Sequence, residues 1–330
     1  MRLSRRTLLH LTAGAAALPA ASRLAWAQSY PSRPITIIVP FAAGGPSDVL
    51  ARLLGERMRA VLNQSMMVEN VTGAGGTIGV TRAARAPADG YTVSFGHLGT
   101  HVINGAIYPL TFDLLDDLEP IGLIGGNPQV VVSKNAVPAK NLQDLIAWIK
   151  ANEKTVTFGT AGVGSGSHFS GLYFQSLIGT KATYVPYRGT GPAMQVLVAG
   201  TIDIIVDQAS NAMPQIQGGA IRAYAVTQDK RMAAAPDIPT VDEAGLPGFH
   251  IWLWSGLWVP KGTPQDIVAK LNAALREALA DPAVLKRFGD LGLDAAPANR
   301  QTPEALRAHQ KAEADKWWPM IKAAGVKPSG

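Results

Sequence analysis

The sequence predicts an α/β fold of two doubly wound lobes. Three observations carry it. Apolar, β-branched runs alternate with segments whose apolar residues recur at helical spacing, the pattern of a mainly parallel sheet. Glycine-rich loops join most of these strands to the helices that follow. The chain has 330 residues, and even without its first 27 it is longer than one core usually supports.

The first unit sets the pattern. Ile35-Thr-Ile-Ile-Val39 reads as a buried parallel strand. Pro40 and Gly44-Gly45-Pro46 break it, and Leu50, Leu53, Leu54, Met58, Val61 and Leu62 then mark one face of a helix with Pro46 near its first position. A helix start leaves backbone N–H groups unpaired at the positive end of the dipole. A loop without bulky side chains lets an anion reach them.

Met66–Asn70 is the next strand, and Gly73-Ala-Gly-Gly-Thr77 opens a helix over about 78–86. After the Asp89-Gly90 turn comes a strand at Tyr91–Phe95, then a glycine-punctuated loop, Gly96-His-Leu-Gly-Thr-His101. The loops at 40–48, 73–77 and 96–101 lie at the carboxyl ends of their strands, where ligands of such sheets sit. Ile121–Ile124 and Val130–Ser133 read as one extended segment broken at Gly125-Gly-Asn-Pro128, a first crossing into a second domain. There Asn141 and Asp144 start a helix. Val156-Thr-Phe158 leads into the chain's most glycine-rich loop, Gly159–His168, and a further helix. Tyr184–Tyr187, the loop Arg188-Gly-Thr-Gly-Pro192 and a helix over about 193–199 follow. Ile202–Val206 is a buried strand, and Ile221–Val226 crosses back. The expected lobes are therefore residues 28–123 with 227–330, and residues 124–226.

The last hundred residues are helical after the strand Ile251–Val259, on which Trp252, Trp254 and Trp258 share a face. Such a stripe is normally core, with room for one tryptophan to line the cleft. Thr263-Pro264, Asp281-Pro282 and Thr302-Pro303 begin the final helices.

Residues 1–27 read as an export signal: a basic start, an Ala-rich apolar stretch and Ala25-Trp-Ala27 as cleavage site. Ser4-Arg-Arg-Thr-Leu-Leu9 resembles the twin-arginine motif. Removing Arg2, Arg5, Arg6 and Arg23 lowers the formal charge from +6 to +2, 26 basic against 24 acidic residues. The mature chain thus carries no nucleic-acid footprint. It has no cysteine, which excludes thiolate catalysis, disulfides and cysteine–zinc sites.

The glycine loops fit neither G-x-G-x-x-G nor G-x-x-x-x-G-K-[ST], so no nucleotide cofactor is expected. His97 and His101 lack the H-E-x-x-H context of a metal site. Ser165, Ser167 and His168, with Asp207 as orienter, make up a possible hydrolase set, although Gly164-Ser-Gly-Ser-His168 is not a G-x-S-x-G elbow. The alternative is a binding site. Ser47, Thr77, Thr100, Ser165, Ser167 and Thr190 put small neutral donors at helix starts, where they hold carboxylates, and Arg188 is available to add a charge.

Pro31–Gly45, Val71–Gly79, Ala88–Tyr91, Val185–Ala193 and Leu257–Pro264 together resemble the Bug/TctC-type solute receptors over residues 31 to about 310. The resemblance implies a periplasmic, non-enzymatic receptor with no cofactor, expected as a monomer, that feeds organic anions to the integral membrane subunits of a tripartite tricarboxylate transporter. It implies a type II periplasmic-binding-protein clamshell with two crossover segments. It places ligand carboxylates against Phe41, Ala42, Ala43, Gly44 and Gly45 and against second-lobe loops carrying Gly164, Ser165, Ser167, His168, Gly189, Thr190 and Gly191, partly through water. Asp207 matches an acid that contacts a ligand amine or a water. His97 and Leu98, beside Thr100, stand where small polar residues are usual, which favours a longer or aromatic carboxylate.

Overall fold

The computed structural model describes residues 30–323 and 325–327; the expected export signal and its cleavage after Ala27 lie outside them. From Arg33 on, the chain packs as one compact unit built on two sheets that share a strand. Strand β1 (Ile35–Val39) lies one in from the edge of the first sheet, parallel to β2 (Met66–Asn70) on one side and β3 (Thr92–His97) on the other. With neighbours on both edges and a face to bury, its β-branched run is almost wholly out of water. Helix α1 (Pro46–Leu62) has Pro46 in its first turn and buries Leu50, Leu54, Met58 and Leu62. Asp48 accepts from Gly44 N at 3.0 Å and pairs with Arg52 at 2.9 Å, fixing the loop onto the helix start.

Helix α2 (Thr77–Ala84) follows β2. Strand β3 runs two residues past its expected end, and a π-helical turn (Gly99–Ile103) leads into the short α3 (Asn104–Ile107). Gly96 makes room for this: a Cβ there would lie 2.0 Å from the His101 ring.

The expected break at 125–128 does not occur. Strand β4 (Leu118–Lys134) runs unbroken through both sheets. Its Gly-Gly-Asn-Pro stretch is paired antiparallel with β9 (Trp252–Pro260), from Gly125 opposite Ser255 to Pro128 opposite Trp252, and with the two-residue β10 (Asp294–Ala295). Tertiary pairing overrides local turn chemistry here. Gly125 is irreplaceable at this point: φ is +140° and an added Cβ would sit 2.1 Å from Asp294 O.

In the second sheet β4 pairs with β7 (Ile204–Gln208) and β8 (Ile221–Val226), both antiparallel. Beyond β7 lie β5 (Thr157–Thr160) and β6 (Thr183–Pro186), parallel to one another and to β7. The sheets are thus mixed: parallel within the βα units, antiparallel around the shared strand. Helices α4 (Leu142–Ala151), α5 (Gly166–Ile178) and α6 (Thr190–Val198) fall where the pattern put them. The short α7 (Ala209–Gln217), with Pro214 inside it, follows β7 directly and was not expected.

Helices α8 (Gln265–Ala280), α9 (Pro282–Asp290) and α10 (Pro303–Ala323) complete the chain. Trp254 and Trp258 are fully buried against α10. Trp258 Nε1 donates to Gln310 at 3.1 Å, and the His101 ring stacks on Trp258 at 4.0 Å. These two tryptophans are core; Trp252 is half-buried.

Candidate functional site

The carboxyl ends of β1, β3, β5 and β7 meet around one small cavity. Six expected residues line it: Phe41, Gly45, His97, Ser165, Ser167 and Thr190. Pro46, Ser47, Ala161, Gly166 and Gln208 complete the wall. The cavity is about 20 Å³, room for about one water. It is small because the loops touch. Ala42 N donates to Arg188 O at 2.9 Å, Tyr108 Oη donates to Val163 O at 2.8 Å, and Gly191 packs against Gly45.

Three helix starts converge here. Gly45 caps α1 and Gly189 caps α6, neither with a side-chain hydrogen bond. Ser165 caps α5, its Oγ accepting from His168 N at 3.3 Å. The first-turn N–H groups that the helices themselves do not use form a positive rim. Among the described residues, no lysine or arginine lines the cavity. Arg188 is exposed, and the part of it that reaches Ala42 is its carbonyl.

His97 is buried and stacked parallel on Phe41, centroids 5.2 Å apart. Burial pushes its pKa down to about 4, so it is neutral at pH 7. Nδ1 accepts from Gly99 N at 3.0 Å, which leaves the ring proton on Nε2 as a neutral donor. Thr100 Oγ1 bonds the His97 backbone and touches His101 Nδ1 at 3.0 Å, so it braces this ring from behind. His168 is likewise held down to about 4 by burial, with Nδ1 accepting from Gly164 N at 3.3 Å.

Asp207 is fully buried and faces α6 and α7, where it accepts from Gln208 N at 2.8 Å and from Asn211 Nδ2. Burial raises its pKa to about 6, against lowering by hydrogen bonds from Asn211, Gln208 and Thr190. It anchors these helix starts behind Thr190 and is not part of the cavity wall. Ala43 and Gly44 are exposed, and the Gly44 N–H is taken by Asp48.

The hydrolase set is not assembled. Ser167 Oγ accepts from Ala161 N at 2.9 Å and meets Ser165 Oγ at 3.2 Å. The His168 ring accepts from Gly164 N, and the Asp207 carboxylate accepts from Gln208 N and Asn211 Nδ2. Ser167 and His168 are consecutive on α5, so their side chains diverge.

Residues 50–326 match the family described as tripartite tricarboxylate transporter family receptor, TctC. The chain belongs to the TctC family. Its solved relatives include the periplasmic binding protein BugD, 40% identical over 91% of this chain and 100% of that one, with a TM-score of 0.88. MatC of Rhodopseudomonas palustris, solved with malate, is 39% identical over 88% and 100% with a TM-score of 0.86. Rpa4515 of R. palustris, solved with adipate, is 31% identical over 91% and 100% with a TM-score of 0.85. These likenesses make the fold a type II periplasmic-binding-protein clamshell and the chain a receptor of periplasmic type.

In this TctC-family chain, sequence reasoning found the loops of the cavity and counted Ser47 among the small donors, but missed Pro46, Ala161, Gly166 and Gln208. Ala161 and Gln208 follow or end strands, and the rule that ligands gather at strand carboxyl ends would have flagged them had β5 and β7 been extended by two residues.

Proposed function

We propose that the mature protein captures a carboxylate-bearing organic anion, a di- or tricarboxylate or an aromatic carboxylate, in this cleft and delivers it to the membrane subunits of a tripartite tricarboxylate transporter. One observation carries the reading: three helix starts and small hydroxyls converge on a cavity with no cationic side chain among the described residues. Backbone N–H groups at helix ends hold anions without the cost of burying a lysine or arginine. The malate of MatC and the adipate of Rpa4515 support it. The ligand sits against Phe41 to Gly45, Gly164 to His168 and Gly189 to Gly191. His97 supplies a neutral donor, Thr100 and Asp207 brace the wall, and Arg188 stands at the rim. Residues 28–123 with 227–330 form one lobe and residues 124–226 the other, turning about Gly125 and Ala225. The chain is exported through its twin-arginine signal, cleaved after Ala27, and works as a monomer without a cofactor.

A thermal-shift and calorimetric panel of di- and tricarboxylates, aromatic acids and amino acids tests this. A true ligand at a hundred times its Kd adds about 2.7 kcal/mol of stability. A panel in which no carboxylate moves the melting temperature overturns the proposal.

A further inference from the structure

The connection from β8 to β9, residues 227–251, is long and holds no helix and no strand beyond one bridge, Val226 to Thr240. Connections of this length are usually functional. Its start, middle and end return to one another at three side chains. Asp229, Asp242 and His250 each offer one oxygen or nitrogen atom, and these atoms all lie within 4.8 Å of one another. His250 Nδ1 is 3.2 Å from Asp229 Oδ1, and Nε2 is 3.2 Å from Asp242 Oδ1. None of the three lines the cavity between the helix starts.

The simplest account is an ion pair, a protonated ring held between two acids. One atom speaks against it. Nδ1 of His250 is buried and makes no hydrogen bond among the described residues, although Asp229 Oδ1 is within reach. The two atoms are close without the alignment that a shared proton requires. A common electrophile resolves this. Zinc bonds of about 2.0–2.2 Å at tetrahedral angles set neighbouring ligand atoms roughly 3.3–3.6 Å apart, near the spacing here. Imidazole nitrogen combined with carboxylate oxygen suits zinc-class ions, whereas calcium and magnesium take oxygen ligands. Two carboxylates balance the charge of a divalent ion. Both are exposed, so a swing of either brings all three atoms onto one ion. A pocket of about 370 Å³ adjoins, with Asp229 and His250 on its wall, and leaves the remaining coordination position open to water.

We infer that Asp229, Asp242 and His250 form a site for a zinc-class divalent cation, outside the cleft, that pins the β8–β9 connection at its start, middle and end. The inference goes beyond carboxylate capture and does not depend on it. Asp229 follows the proposed turning point at Ala225 by four residues, so a bound ion stiffens the return crossing next to it.

Calorimetric titration of the untagged mature chain with zinc reads this directly. One ion should bind per chain at micromolar zinc, and millimolar magnesium or calcium should not displace it. Zinc should also raise the melting temperature. Asp229→Asn and His250→Gln should each weaken zinc binding at least tenfold and remove that rise. The Asp229 side chain is 90% exposed, so its variant keeps the fold and the test stands even where His250→Gln does not fold. Absence of saturable zinc binding by wild type overturns the inference and leaves the three side chains as an ion pair. Zinc affinity unchanged in Asp229→Asn overturns it as well, because the ion then sits on other ligands.

Discussion

Three buried imidazoles set how this chain responds to acid. Burial pushes His97 and His168 down to about 4, and His101, beside His97, to about 3. Each is neutral when folded but takes up a proton near pH 6.5 when unfolded. Their contribution is therefore complete above pH 6.5 and is lost as pH falls toward 4. Asp207, raised to about 6 by burial, has the opposite sign: its contribution is complete below its unfolded value near 3.9 and is lost as pH rises through 6. Between pH 5 and 6.5 these three, with His309, whose pKa burial also lowers, oppose Asp207, so stability should drop on acidification. A His97→Asn variant, whose side-chain carbonyl can still accept from Gly99 N, should lose about 2 kcal/mol less than wild type between pH 7 and pH 5. Urea midpoints at the two pH values measure this, and equal losses would show that His97 does not titrate on unfolding.

At the scale of elements, Asp281 joins two helices. Its Oδ1 caps α9, accepting from Ala283 N at 2.9 Å and Val284 N at 3.2 Å, while Oδ2 meets Arg57 of α1 at 2.8 Å. Asp281→Ala should cost about 1–2 kcal/mol, mostly the lost cap, because Arg57 is half-exposed and its ion pair is screened. A thermal melt should fall by roughly 2–8 °C; an unchanged melt would mean that α9 needs no cap. The Asp281-Pro282 start was legible because capping is local chemistry, and so was β1 followed by α1, where a β-branched run meets a proline at a helix start. Strand β4 was not legible across Gly125–Pro128, because β9 and β10, far away in sequence, decide its conformation. Helix α7 was hidden by Pro214 and by its lack of any loop after β7. The cavity's glycines and serines were legible for a similar reason: they sit at strand ends and cap helices.

For the whole molecule, the proposed lobe closure depends on backbone approaching backbone at Gly75. This residue has φ of +59°, and an added Cβ would lie 2.0 Å from Val163 O. Around it, Asn104 Nδ2 donates to Gly75 O at 3.0 Å and Tyr108 Oη donates to Val163 O at 2.8 Å. A methyl group at residue 75 meets a carbonyl that cannot rotate away as a side chain could, so the segments must separate. Gly75 lies in the loop between β2 and α2 and Val163 in the loop between β5 and α5, outside both sheets, so the fold should survive. Gly75→Ala should bind malate at least tenfold more weakly, and its scattering curve should stay that of the separated form at saturating malate. Alanine at a positive φ also carries backbone strain of about 1–2 kcal/mol wherever it sits, so a control is needed. Gly179→Ala, just past the end of α5, provides one: φ there is +71°, yet nothing lies within 4 Å of the added Cβ. Both variants share the strain, but only Gly75→Ala blocks the approach. If the two bind malate alike, contact at Gly75 plays no part in capture, and the lobes close on the ligand elsewhere or not at all.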